Sequence, residues 1–341
     1  MKATLAALLA AGLALAAAGA ASAQDKITIA ALRFVSSAPV FIAMEKGYFK
    51  EQGLDVEFKF FDAAQPIAVA VATGDADLGI TGLTGGFYNL AGKGAIKIIA
   101  AQSREEPGFD FVAYVATKKA FDGGFTDASK FPGRSIAITQ TGSTFHYMIG
   151  MLAEKRGFKL TDVTLRPLQS IANVTAALKG EQVDGALLPA NNAYAAEKDG
   201  FGRIVGWVHQ ETPWQLGALF ANGKVLDTRR PAVEKFVAAY LKAVNDYAEA
   251  FLQRDAAGKR AFGEKADALI PMIQKYVEPK PSAEQVKASA SYIDPKGRLL
   301  VKNIHDQIAW YQGQGMVGKD VDATRLLDLT FVKDHLDVPK K

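Results

Sequence analysis

Ile27–Phe58 reads ITIAALRFVSSAPVFIAMEKGYFKEQGLDVEF, and the rest of the chain is organised around this stretch. Ile27–Leu32 is a short apolar, partly β-branched run of the kind that forms a buried strand. Arg33–Pro39 interrupts it with small and polar residues, so a loop is expected there. Val40, Phe41, Ile42 and Met44 then open a helix, which Gly47 can stop in a left-handed conformation. Gly53 supplies a turn, and Leu54–Phe60 reads as a second strand. Strand, loop, helix, strand is the unit of an open α/β sheet, where ligands sit at the loops that leave the carboxyl ends of strands. This loop offers Arg33, Phe34, Ser36 and Ser37: one cation, one aromatic and two hydroxyls ahead of a helix N-terminus.

The unit recurs. Arg134–Thr139 reads as a strand, Gln140–Thr144 as a polar loop, Phe145–Arg156 as a helix ended by Gly157, and Asp162–Pro167 as the next strand. The letters echo as well, AMEKGYFKEQGLDVEF against LAEKRGFKLTDVTL, and downstream ATGDADLGI against LKGEQVDGALL. Two similar α/β lobes, each with a ligand-type loop at a strand end, predict a site built between them.

Composition bounds the class. Met1-Lys2, a long Ala/Leu run and Ala21-Ser22-Ala23 describe a secretory signal peptide over residues 1–23, cut before Gln24, with export to a periplasm. The chain has no cysteine for a lipid anchor or a disulfide. About 318 residues remain, the size of two ordinary domains. Acids and bases are interspersed around a formal net charge of +4, and no basic stripe points to nucleic acid.

Along the rest of the chain, Gln65–Ala72 reads as helix, Asp77–Thr81 as strand, and Gly82–Gly86 as a loop carrying Thr84 before a helix near Phe87. Ile96–Ala101 is a strand ending at Gln102. Phe111–Ala116 crosses between lobes, and Leu216–Phe220 returns, with a hinge near Trp214–Gly217. Ile171–Leu178 is helical, and Gly185–Leu188 is a strand running into Asn191. From Pro231 the spacing turns helical, with Thr228 or Asp227 as the cap. Ser282–Gln285 forms a capping box, and short helices follow at Ile304–Tyr311 and Ala323–Leu329. The expected division is therefore a discontinuous first lobe over 24–113 and 217–341 with the second lobe, 114–216, inserted in it.

With these residues in view, the chain resembles the nitrate/sulfonate/taurine group of periplasmic solute-binding proteins of ABC transporters. The resemblance rests on PVFIAMEKGYFKEQGLDVEF, ATGDADLGITG with GKGAIKIIA, FPGRSIAITQTGSTFHYMIGMLAEKRGF and ALKGEQVDGALL, in that order over Ile27–Leu188, about half the chain. It implies a two-lobed type II-like binding protein with mixed sheets flanked by helices and a cleft that closes by hinge motion. It also implies a small anionic or aromatic solute as ligand, and an inner-membrane ABC permease with its ATPase as partners. The expected state is a monomer with no cofactor. Nitrate, or a pyrimidine or other thiamine precursor, is an alternative cargo.

An anion is best met by helix N-termini, whose free N–H groups and dipole favour negative charge. The candidate ligand residues are thus Arg33, Phe34, Ser36, Ser37 and Thr84, the loop Gln140, Thr141, Gly142, Ser143, Thr144 and Phe145, and Gln102, Asn191 and Trp214. Asp75 and Asp77 read as a turn feature, and His146 as a lone histidine on an apolar face. The competing class is an enzyme of thiamine-pyrimidine or menaquinone biosynthesis type on the same fold. The export signal, the four scattered histidines and the lack of any nucleophile–base set or metal-ligand spacing argue for a binder without catalysis or metal. A sensor ligand-domain docking on a receptor is a third possibility.

Overall fold

The computed structural model describes residues 24–211 and 213–338. The signal peptide expected at 1–23 lies outside the described residues. The first unit runs β1 (Asp25–Leu32), a 3-10 turn at Val35–Ser37, α1 (Ala38–Glu45), α2 (Tyr48–Glu51), β2 (Leu54–Phe61), α3 (Ala64–Thr73), β3 (Leu78–Gly82), α4 (Gly85–Gly92) and β4 (Ile96–Ala101). Gly47 does take the left-handed conformation (φ 73°), and a further helical turn follows it. The helix expected near Phe87 starts two residues earlier, because Thr84 accepts the Phe87 N–H and caps it.

After the short β5 (Ser103–Glu105), the second unit comprises β6 (Val112–Thr117), α5 (Lys118–Asp122), β7 (Ser135–Ile138), α6 (Thr144–Arg156), β8 (Thr164–Pro167), α7 (Ile171–Lys179), β9 (Gly185–Pro189), α8 (Ala190–Lys198) and β10 (Gly202–Trp207). β11 (Trp214–Gln215) and β12 (Gly217–Asn222) lead back, and the tail adds α9 (Gly223–Phe251), α10 (Glu264–Gln274), α11 (Ala283–Ser289), β13 (Tyr292–Ile293), α12 (Val301–Gly313) and α13 (Ala323–Leu326).

The strands build two five-stranded sheets of one design. The first has the order β2-β1-β3-β12-β4 and the second β10-β6-β9-β7-β8. Reversed, the second reads β8-β7-β9-β6-β10. In each, the strand that opens the repeated motif, β1 or β7, stands second and is parallel to both its neighbours. In each, the fourth place is an antiparallel strand, β12 beside β3 and β6 beside β9, contributed by the crossing segments. The repeat extends to single bonds. Asp77 Oδ2 accepts the Thr28 N–H within β1 (2.8 Å), and Asp184 Oδ2 accepts the Ser135 N–H at the start of β7 (2.7 Å), each pair 49 residues apart. Asp77 therefore does act as a strand brace, further tied to Arg229.

Two expectations for the tail are corrected. The long helix begins at Gly223, capped by Asn222, whose side chain accepts from Lys224 and Val225. Arg229 (φ −135°, ψ 30°) breaks it two residues before Pro231, which has no N–H for an i→i−4 bond, so Pro231 does stand in the first turn of the segment that follows. Thr228 donates to the Lys224 carbonyl instead of capping. The last helix is also short, ending at Leu326. The capping box at Ser282 is present as expected.

α9 and α10 lie over α1 on the first sheet, in a core holding Phe41, Phe49, Phe236, Tyr240 and Tyr247. Phe49 and Phe236 stack at 4.6 Å. Burying each such side chain contributes about 1.5–3 kcal/mol. A third, three-stranded sheet, β11-β5-β13, sits where the chain crosses between the lobes. α12 packs on α4 of the first unit, on α6 of the second and on β11. No helix among the described residues is long and apolar enough to cross a membrane.

Candidate functional site

The strand ends and helix starts of both sheets meet around one partly open cavity. Its first wall is Leu32, Phe34, Val35 and Ser36, followed by Asp62, Ala63 and Ala64 from the β2–α3 turn. Thr81, Gly82 and Gln102 form the floor at the ends of β3 and β4. Across from them stand Thr139, Thr144 and Phe145, with Ile171, Pro189, Ala190 and Asn191 beside them, while Phe111, Val112 and Leu216 come from the crossing segments. The cavity has about 70 Å³ open to water centres, room for roughly five to seven waters at ~10–15 Å³ each. That is the size of a small solute or of one end of a larger one.

Helix starts dominate this lining. α1 and its preceding turn, α3 and α8 all begin without a side-chain cap. The amides of Ala64, Thr144, Phe145 and Asn191 find no acceptor among the described residues. Unpaired first-turn N–H groups and the positive ends of several helix dipoles thus face one space. Thr81 adds to this. It is 1% exposed, and its hydroxyl has no partner among the described residues. A buried hydroxyl left unpaired is costly, so a ligand able to bond it is favoured. Gln102 donates to the Ser36 carbonyl (3.1 Å), which fixes its carboxamide on the floor. Two glycines make the close approach possible. A Cβ at Gly82 would lie 2.8 Å from Thr144 Cγ2, and one at Gly217 would lie 2.2 Å from Gln102 Oε1. The only ionisable side chain on the wall is Asp62; no lysine, arginine or histidine lines it.

The candidate residues named from sequence divide into three groups. Phe34, Ser36, Gln102, Thr144, Phe145 and Asn191 come together at the cavity. A second group braces the loops around it. Ser143 Oγ accepts the His146 N–H and caps α6, its carbonyl accepts from Tyr311 OH (3.1 Å), and the Gly142 carbonyl accepts from Gly85 N. Gly142 N donates to His146 Nδ1 (3.1 Å). Burial lowers the His146 pKa, keeping that nitrogen an acceptor. Thr84 caps α4 and bonds Gln65, and Ser37 is fully buried off the wall.

The third group lies elsewhere. Thr141 is exposed, and Gln140 faces an outer groove with Phe61 and Gln65. Trp214 is fully buried in the three-stranded sheet, 5.1 Å from Tyr147. Beside it, burial pushes the Glu105 carboxyl well above the usual carboxylate range. Arg33 does not line this cavity; it lies 3.9 Å over the Phe60 ring and 3.3 Å from Glu278. Arg104 pairs with Glu106 (2.8 Å).

Residues that the sequence reading passed over include Thr81, Asp62, Ala63, Ala64 and Ile171. Thr81 obeys the same strand-end rule that picked out Gln102. The alanines contribute backbone amides and carry no side-chain signal at all.

Two lobes of one topology, joined at crossing strands around a partly open cavity, form the fold of the periplasmic binding proteins. The chain belongs to the NMT1/THI5-like family, whose pattern matches residues 35–250. No curated protein sequence matches it significantly. Among solved structures it is similar to the alkanesulfonate-binding protein SsuA from Xanthomonas axonopodis pv. citri bound to MOPS, at 17% identity and TM-score 0.71, over 91% of this chain and 100% of that one. The ligand-binding component of an ABC-type import system from Staphylococcus aureus, with zinc bound, aligns at 17% identity and TM-score 0.70, over 92% of this chain and 100% of that one. The periplasmic nitrate-binding protein NrtA from Synechocystis PCC 6803 aligns at 15% identity and TM-score 0.61, over 76% of this chain and 68% of that one.

Proposed function

We propose that this protein is the exported solute-binding component of an ABC importer. On this reading it captures a small organic anion in the interlobe cleft and hands it to an inner-membrane permease, as a monomer and without catalysis. The observation that carries the reading is the convergence of unpaired helix-start amides on a mostly apolar cavity. An acid group held by the amides of α3, α6 and α8 needs no arginine, and Phe34, Phe111, Phe145 and Leu216 provide apolar area for its body. Sulfonates, taurine-like acids and aromatic carboxylates or sulfonates fit this description better than nitrate, which has no body to bury. The alkanesulfonate- and nitrate-binding proteins among the similar structures support an acid ligand. A wall whose only ionisable group is one carboxylate, Asp62, lacks the acid–base or nucleophile–base pair an enzyme would use.

A second reading is carried by the neutral hydrogen-bonding groups Thr81, Gln102 and Asn191, which suit the edge of a pyrimidine-type ring. One experiment separates the two. Native mass spectrometry of the purified mature protein, followed by a thermal-shift screen, would compare sulfonates, aromatic carboxylates, nitrate and pyrimidines. A ligand bound only by the folded state raises the melting temperature as its concentration exceeds Kd. A shift with organic acids alone is expected. A shift with pyrimidines alone would replace the anion reading.

A further inference from the structure

The inner cavity opens into a second, larger compartment. This vestibule has about 530 Å³ open to water centres, and Phe34, Asp62 and Ile171 line both spaces. Its other walls include Arg33, Phe60, Ser170, Asn192 and Glu278, so both lobes contribute. A solute larger than the inner cavity therefore has one direction in which to extend.

The vestibule's polar groups do not balance. Its one cation is engaged: Arg33 is near Glu278 (3.3 Å), donates to the Tyr276 carbonyl (3.4 Å) and lies over the face of Phe60. The Ser170 hydroxyl oxygen accepts from Asn173 N. Two acceptors are left without donors among the described residues. Asn192 Oδ1 is buried with no partner, and the Asp62 carboxylate at the junction has neither an ion pair nor a hydrogen bond. With Asp62 and Glu278 against Arg33, the compartment is also net acidic. What it lacks is a donor, preferably a cationic one.

We propose that the vestibule is a second subsite of the cleft, which takes the ammonium or other donor-bearing far end of an elongated solute whose acid group occupies the inner cavity. The inference rests on the reading of the inner cavity as an acid-group site. Asp62 supplies the charge partner and Asn192 Oδ1 a neutral acceptor, while Phe34 and Ile171 cover the apolar spacer that passes the junction.

The test is isothermal calorimetry with straight-chain sulfonates and carboxylates of increasing length, each with and without a terminal amine. In the unaltered protein, the amine is expected to tighten binding at least tenfold, about 1.4 kcal/mol, at the chain length that spans the two compartments. In the double variant Asp62→Asn, Asn192→Ala the gain should fall below threefold. Asp62→Asn alone, an exposed change with no partner to lose, keeps the comparison usable if the double variant folds poorly. No gain at any length, or a gain that survives in the variants, overturns the vestibule subsite while amine-free binding leaves the inner cavity's role intact. Binding by neither series overturns both.

Discussion

The two halves of the molecule repeat the same framework and differ where the helices begin. β1 and β7 occupy the same place in their sheets, and each has one amide, Thr28 or Ser135, held by an aspartate 49 residues later. Past the strand the copies diverge. In the first half, the 3-10 turn and α1 start with no side-chain cap, but Ser37 N and Ala38 N bond the carbonyls of Phe34 and Val35 and Pro39 carries no N–H; the open amide of this half is that of Ala64, at the uncapped start of α3. In the second, Ser143 caps α6, while Tyr311 and Gly85 bond the carbonyls of Ser143 and Gly142. The second unit's downstream helix, α8, is uncapped at the cavity, whereas the first unit's, α4, is capped by Thr84. A shared aspartate maintains a sheet in either half. A cap takes up one amide of a helix start and leaves the others: Ser143 holds the His146 N–H, while Thr144 N and Phe145 N find no acceptor among the described residues.

Three substitutions would break or sharpen this contrast. The largest effect is expected from Trp214→Ala. This side chain is fully buried behind Tyr147 on the braced helix, and removing a core Trp costs about 3–5 kcal/mol. Urea denaturation should show that loss, with weaker ligand binding alongside; a change under about 1 kcal/mol would mean that the second unit does not depend on the three-stranded sheet for its rigidity. Next is Thr81→Val on the open side. Because the Thr81 hydroxyl has no partner among the described residues, the apo melting temperature should hold or rise while affinity falls about tenfold, about 1.4 kcal/mol. Equal affinity by calorimetry would take that hydroxyl out of the ligand's reach. The smallest is Ser143→Ala, which removes the α6 cap and should cost about 1 kcal/mol of stability with affinity changed less than threefold. A large affinity loss with unchanged stability would reverse the roles given to the two loops.

The framework was legible in the sequence because it rests on patterns that chain-local physics enforces. Apolar runs marked the strands and glycines marked the helix ends, while the echo of GDADLG in EQVDGA marked the repeat without announcing that Asp77 and Asp184 each brace a strand 49 residues away. The site was legible only in part. Gln102, Phe34, Thr144 and Asn191 sit at strand or helix ends and could be named from that rule. Arg33 stands at such an end too, but partners far along the chain, Tyr276 and Glu278, hold it along the vestibule. Loop residues 140–143 have the letters of a ligand loop, yet their hydrogen bonds go to α4, α6 and α12. Ala63 and Ala64 offer backbone alone, which no residue type announces.

One contact sets how such a molecule can move. α12 reaches across the junction: Tyr311 bonds the Ser143 carbonyl, and Trp310 lies against the Gly150 site so closely that a Cβ there would be 2.1 Å from its ring. The same helix also touches α4 and β11. Two halves linked only by a pair of crossing strands could twist and splay freely. With this strut also spanning the junction, any relative motion of the halves has to carry α12 with one of them or shear its contacts with the other.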